Sequence, residues 1–287
     1  TPFENDHSLS LPLLVSHAAW SLAQGAHYIS PFGTTGEATS VGMAERMHAL
    51  DVLAKQGVDP GQMMPGTGLC ALPDTVELCR HATQLGCAAV MVLPPFYYPY
   101  TEDGLVAYYT QLIETIADAR LRICLYHIPQ MSGVAISPSV VQRLNAEFPD
   151  IVVAYKDSSG DWNNTKSVIE TASGVSVFPA SENMLQIGLA HGAAGCISAT
   201  LNSQPHLVRQ AFDALTNGDD QAYAAISQKM TMHRNRVQEA EFIPALKSMT
   251  AVATGDARWL NTRPPMGPAP ADLGHEIAND LGWTRRS

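Results

Sequence analysis

From Leu9 onward the chain alternates between two hydrophobic patterns. Short runs of consecutive apolar residues, bounded by glycine, proline or polar turns, read as strands buried on both faces. Between them, apolar residues recur at three- and four-residue spacing, the mark of a helix with one buried stripe. The strand-like runs are His27 to Phe32, Gln62 to Gly68, Ala88 to Leu93, Arg122 to His127, Ile151 to Lys156, Val175 to Pro179 and Gly195 to Ser198. The helical stretches begin with Leu9 to Gln24, and a second run carries Met43, Met47, Leu50 and Leu53 on one face. Pro73 to Leu85 follows, then a run with Leu105, Tyr109, Leu112, Ile113 and Ile116 aligned. Ser137-Pro138 supplies an N-cap and a first-turn proline for the next helix. Others start near Asn163, run from Met184 to His191, and follow Pro205.

Strands that alternate with helices of this length form a parallel sheet, because a parallel connection needs a crossover helix. The expected fold class is α/β, a (β/α)8 TIM barrel, with one further strand needed ahead of Thr1 to complete it. Past Gly218 no strand pattern returns. Asp219 to Val237, Phe242 to Ala253 and Ala271 to Leu281 read as helices, and the proline-rich Arg263 to Pro270 as a connector. The expected division is therefore 1–217, a barrel, and 218–287, a C-terminal helical domain.

The chain has 287 residues, an ordinary size for one such barrel. Its net charge of -10 sets it against nucleic acid and anionic membranes, which both require a basic face. No apolar run reaches the length of a membrane span, and no charged-then-apolar leader opens the chain. The five cysteines are scattered, without C-x-x-C or H-E-x-x-H spacing, so no metal site and no disulfide framework is signalled. The reading is a reduced, soluble, cytoplasmic protein.

In barrels of this class the chemistry sits at the C-terminal ends of the strands. The polar residues there are Thr34 and Thr35, Tyr126, Lys156, Ser181 and Glu182, and Ser198. Lys156 stands out. It ends the apolar run Ile151-Val152-Val153-Ala154-Tyr155 and is followed by Asp157-Ser158-Ser159-Gly160. An ammonium held away from water more readily gives up its proton, and the neutral amine is a nucleophile that forms Schiff bases with carbonyls. The commoner fate of a strand-end lysine is to reach the rim and pair with a neighbour such as Asp157. Gly33-Thr34-Thr35-Gly36-Glu37 sets two hydroxyls between glycines just after a strand, a composition suited to an anion nest for a carboxylate, or to a plain turn. Tyr126 is either a proton shuttle beside the lysine or a packing residue. Gly66-Thr67-Gly68-Leu69-Cys70-Ala71 matches a loose dinucleotide pattern, but the next strand ends in Leu93-Pro94-Pro95 where that reading needs an acid. His127 and His191 lack a carboxylate or thiol at ligand spacing.

These segments also occur in a distinctive order. Gly33-Thr34-Thr35-Gly36-Glu37, Pro95-Phe96-Tyr97, Tyr126-x-Ile128-Pro129 with Gly133, and Lys156-Asp157-Ser158-Ser159-Gly160 closely resemble the dihydrodipicolinate synthase / N-acetylneuraminate lyase family of pyruvate-dependent class I aldolases. The resemblance spans nearly the whole chain. It implies that Thr1-Pro2 follows a first strand lying mostly outside this sequence. It implies that Lys156 is the Schiff-base lysine and Tyr126 the acid/base above it. Gly33, Thr34 and Thr35 would hold the pyruvyl carboxylate, with Thr34 also a proton relay. Tyr97 would cross a tight dimer into the neighbour's site, and Ile197 would form an apolar wall near bound pyruvate. Gln130, Met131, Ser181 and Glu182 would face the remainder of the substrate. The family's dihydrodipicolinate synthases carry an arginine at the place of Met131, where it grips the carboxylate of aspartate semialdehyde. The neuraminate lyases and several sugar-acid aldolases carry an apolar or small residue there.

The resemblance thus implies a carbon–carbon lyase that reversibly cleaves a 2-oxo acid, of the 2-keto-3-deoxy sugar-acid kind, to pyruvate and an aldehyde. No metal or organic cofactor is expected, because the covalent iminium on Lys156 serves as the electron sink. The expected partners are a small 2-oxo acid and further copies of the chain, as a dimer or homotetramer. A 4-hydroxy-tetrahydrodipicolinate synthase is the second enzymatic reading. A barrel that binds a 2-oxo acid without catalysis is the reading from another class.

Overall fold

The computed structural model describes residues 1–282. In chain order the helices and strands are α1 Leu11–Ala23, α2 Met43–Lys55, α3 Leu72–Leu85, β1 Val90–Val92, α4 Glu102–Ile116, β2 Ile123–His127, α5 Pro129–Ser132 and α6 Pro138–Glu147. They continue with β3 Val152–Asp157, α7 Trp162–Thr171, β4 Ser176–Pro179, α8 Leu185–Ala190, α9 Pro205–Thr216, α10 Asp220–Gln238, α11 Phe242–Thr254 and α12 Ala271–Asp280. The long helices fall where the periodicity puts them, and their ends follow from local chemistry. Ser137 caps α6 by accepting from the Val140 N–H, with Pro138 in the first turn. Thr101 caps α4, Asp161 caps α7 and Asp219 caps α10 in the same way. Each cap satisfies a donor that the helix itself leaves open.

The chain packs as two compact units. One comprises Tyr28–Gly33 and Arg46–Ser198. It holds a parallel sheet in the order β1-β2-β3-β4, flanked by α3, α4, α6 and α7, each packed on the next. Every residue of β1 and β2 is buried, as expected of strands covered on both faces. Fewer residues pair as strands than the apolar runs suggest. His27 to Phe32 and Gln62 to Gly68 join through single bridges, Ile29 to Met63 and Gly66 to Met91. Gly195 to Ser198 follows β4 through the Ala194 N–H on the Val177 carbonyl and the Ile197 N–H on the Pro179 carbonyl, without forming a ladder. The close approach of these segments explains their glycines. A Cβ on Gly66 would lie 2.0 Å from the Phe32 carbonyl oxygen, and one on Gly68 would lie 2.5 Å from the Leu93 nitrogen. Gly66-Thr67-Gly68 is therefore a packing feature.

The other unit comprises Thr1–His27, Thr34–Glu45 and the chain from Ala199 onward. It includes α9, which precedes residue 218 and packs on α10; α10 in turn packs on α11, and α11 on α12. The packing boundary thus lies at 198/199, whereas helical composition alone sets in after 217. Val237, Ala245, Leu246, Met249 and Ile277 form the unit's core. Within this unit Lys247 of α11 forms a buried ion pair with Glu37, their side chains 5% and 0% exposed. Among the described residues no helix is long and apolar enough to cross a membrane.

Candidate active site

The register of β2 against β3 sets the arrangement of the first unit's site. Ile123 pairs with Val152, but Cys124 pairs with Ala154, so Val153 is a bulge residue without a partner. The bulge shifts every later pairing by one residue. Tyr126 therefore faces Lys156, and His127 faces Asp157. On the next strand Lys156 faces Phe178. The Lys156 Nζ lies 4.2 Å from the centroid of the Tyr126 ring, within cation–π range. Tyr126 is 4% exposed and belongs to an apolar cluster with Met64, Met91, Cys124, Ile128 and Ala154. Phe178 and Ile197, both partly buried, pack against the same cluster. Burial pushes the Cys124 thiol up to about 12, with Lys156 pulling it back.

One expectation about Lys156 is modified. The lysine is half-buried rather than shut away from water, because it stands where the strand ends. Nor does Asp157 pair with it. Successive strand residues point to opposite faces, and the Asp157 carboxylate instead accepts from Ser159, Asn164 and Thr165.

The residues expected to face the rest of the substrate divide. Ser181 is half-buried and caps a short turn, Glu182–Met184, by accepting from the Asn183 N–H. Glu182 is 1% exposed and accepts from the Ser198 Oγ at 2.5 Å. It is a buried carboxylate that joins the turn after β4 to the segment ending at Ser198. Ser198 was visible in the sequence only as a polar strand end; as Glu182's donor it is part of this group. Gln130 is exposed, but its amide donates to the Ser158 carbonyl at 2.6 Å, which ties α5 to the loop after Lys156. Met131 is 68% exposed. Tyr97 is 84% exposed and sits at a φ of 97°, with its ring edge-on to Tyr98. His127 is buried and accepts from the Ile136 N–H through Nδ1; burial holds its pKa below the ordinary value while Asp157 pulls it up. His191 is exposed and bonds the Ile187 carbonyl. Among the described residues no group of three or more His, Cys, Asp or Glu side chains gathers as a metal site.

Gly33 ends the first unit's opening segment, and Thr34 and Thr35 begin a segment of the second, both half-buried. The left-handed residue of this turn is not a glycine. Glu37 adopts it, at a φ of 56°, and its N–H closes the turn on the Thr34 carbonyl at 3.0 Å. Gly33 serves here by lacking a side chain: a Cβ on it would already press on the Met91 methyl at 3.3 Å.

An amine set over a phenol on the adjoining strand, above an apolar floor, is equipped for Schiff-base formation and proton transfer. Comparison with known proteins agrees with that chemistry. The sequence profile of the dihydrodipicolinate synthetase family matches residues 1–282. An uncharacterized DapA-like lyase of Chloroflexus aurantiacus is 36% identical over 251 residues, covering 86% of this chain and 82% of that protein. A 4-hydroxy-tetrahydrodipicolinate synthase of Thermus thermophilus is 32% identical over 255 residues, covering 87% and 82%. The crystal structure of dihydrodipicolinate synthase from Agrobacterium tumefaciens superposes with a TM-score of 0.88 at 28% identity, covering 98% of this chain and 96% of that one. The fold is thus α/β, of the (β/α)8 barrel class with C-terminal helices, and the protein is an enzyme of the class I, Schiff-base lyase kind. The chain belongs to the dihydrodipicolinate synthetase family.

Proposed function

We propose that this enzyme reversibly cleaves a neutral-tailed 2-keto-3-deoxy acid to pyruvate and an aldehyde, with Lys156 as the covalent residue. The observation that carries the reading is the Lys156 amine 4.2 Å from the Tyr126 ring, on register-paired strand ends. The amine adds to the C2 ketone and water leaves, forming an iminium. Tyr126, with Thr34 as relay, takes the proton from the C4 hydroxyl. The C3–C4 bond then breaks, its electron pair flows into the iminium, and the aldehyde departs. The resulting enamine takes a proton at C3, and water releases pyruvate. Gly33, Thr34 and Thr35 hold the carboxylate in this reading, and no metal or organic cofactor takes part. Ser181 meets a hydroxyl of the tail, next to the buried Glu182 carboxylate that Ser198 holds through a 2.5 Å bond.

Met131 governs the choice of tail. An arginine would offer a bidentate clamp to a second carboxylate, whereas methionine offers only soft apolar contact. The synthase relatives keep the second reading alive, condensation of pyruvate with aspartate semialdehyde. In both readings the active form is a homo-oligomer, dimer or tetramer, with Tyr97 reaching the neighbour's site, and the setting is the reducing cytoplasm.

Incubation with pyruvate and borohydride is expected to add one reduced pyruvyl group to the wild type and none at this position in Lys156→Ala. Equal labelling of the variant rejects Lys156, and an unlabelled wild type favours a non-catalytic binding barrel. On the same preparation, kcat/KM for a panel of 2-keto-3-deoxy acids is expected to exceed that for the semialdehyde condensation. The opposite order replaces the first reading with the second.

A further inference from the structure

Behind Lys156, the face of β2 and β3 that points away from it is polar and closed. Asp157 is 2% exposed and His127 4%. Asp157 Oδ1 accepts from the Ser159 N–H at 2.9 Å and the Ser159 hydroxyl at 2.6 Å. Its Oδ2 accepts from Asn164 Nδ2 and from the Thr165 hydroxyl, both at 2.8 Å. Asn164 Nδ2 also donates to the Tyr155 hydroxyl at 3.0 Å, and that hydroxyl donates to the Ile136 carbonyl at 3.1 Å. The Ile136 N–H in turn donates to His127 Nδ1 at 3.0 Å. The Tyr155 and His127 rings stack with centroids 5.7 Å apart. The main chain joins in: the Ser158 N–H donates to the His127 carbonyl and the Ala180 N–H to the Asp157 carbonyl, both at 2.8 Å.

A carboxylate this buried is retained only when its oxygens are saturated, and here they are, by charge-assisted bonds. The donors come from the loop directly after Lys156 and from α7. The carboxylate thus fixes where β3 stops and how the chain turns after it. That backbone carries the Cα–Cβ direction of Lys156 on one side, while the His127 carbonyl, held by Ser158, does the same for Tyr126. Productive geometry of such a pair tolerates about 0.5 Å.

We propose that Asp157 is a positioning residue for Lys156: with Ser159, Asn164 and Thr165 it holds the end of β3 so that the amine stays aligned with Tyr126. The inference rests on the reading of Lys156 as the Schiff-base residue. Asp157→Asn conserves volume, but one end of the new amide presents an N–H where only acceptors are wanted. Turned towards Ser159, that N–H meets a fixed backbone donor; turned the other way, it forces the Asn164 amide and the Thr165 hydroxyl to reorient. The displacement expected is a fraction of an ångström to an ångström, and a misplacement of about 1 Å costs on the order of 10²-fold in rate.

The test measures the rate of borohydride-trapped pyruvyl adduct together with kcat and KM, on protein shown by circular dichroism to be folded. Asp157→Asn is expected to slow adduct formation and kcat together, by about 10- to 100-fold, with KM within about two-fold of the wild type. Ser159→Ala, which removes one bond from the loop side, is expected to give a smaller loss of the same kind. Wild-type adduct rate and kcat in folded Asp157→Asn overturn the inference, as does a raised KM with unchanged kcat. If Asp157→Asn does not fold, Ser159→Ala and Asn164→Ala decide it, and wild-type rates in both overturn it. A wild type that forms no adduct, or a Lys156→Ala variant that labels equally, instead overturns the parent reading, and this one with it.

Discussion

Replacing Lys247 with methionine strands the buried charge of Glu37. The two side chains are 5% and 0% exposed, so solvent screens their interaction little. Lys247 also donates to the Asn261 carbonyl and lies 4.7 Å from the Phe3 ring centroid. Burial already lowers its pKa, and Glu37 pulls it back up. Methionine has similar length and no charge. Arg263 acts on Glu37 only at longer range, since it is held by Glu45 at 2.6 and 2.7 Å. Removing one partner of a buried ion pair costs about 3–5 kcal/mol, and a bared carbonyl adds about 1 kcal/mol. These terms overlap, so about 3 kcal/mol is the lower bound. At roughly 2–4 °C per kcal/mol for a chain of a few hundred residues, Tm is expected to fall by at least about 6 °C. Calorimetric melts at matched concentration measure it. Adding Glu37→Gln to Lys247→Met is expected to recover more than half of the loss, because the stranded charge is then gone. A loss below about 2 °C in the single variant, or a double variant no more stable than the single, refutes the argument.

Tyr126→Phe keeps the ring over which the Lys156 ammonium sits, so trapping with pyruvate is expected to remain detectable while kcat falls by roughly 10²–10⁴; near-normal turnover assigns the proton transfer to another group. Light scattering is expected to find an active dimer or tetramer, because an exposed run of Tyr97, Tyr98 and Tyr100 suits an interface. An active monomer rejects that role for Tyr97.

The helices and the order of strand and helix were readable because both depend on periodicity and local caps. Ser137-Pro138 marks the start of α6 in the sequence and does so in the structure. Lys156 and Tyr126 were readable as strand-end residues. What periodicity does not carry is register. Nothing in Ile151-Val152-Val153-Ala154 announces that Val153 drops out of the pairing. Nor does a sequence show which way a polar residue turns. The Glu182 carboxylate accepts from Ser198, and the Gln130 amide donates to the Ser158 carbonyl. The Gly33–Gly36 turn was read from its glycines, but the conformation that glycine would favour belongs to Glu37, which the ion pair with Lys247 anchors.

The unpaired Val153 gives this enzyme a phase as well as a sequence. Without the extra residue, Tyr126 would lie across from Tyr155, and the side that now carries the Lys156 amine would carry the Tyr155 ring instead. Substitutions along β3 alter bulk or polarity one position at a time. A single-codon deletion there would exchange the two faces of the strand from that point on. The stretch from Val152 to Lys156 is therefore open to gradual change in chemistry but closed to change in length, while α5, with its exposed Met131, lies beyond the ladder and is free of that constraint. A change in the length of α5 would leave Tyr126 paired with Lys156.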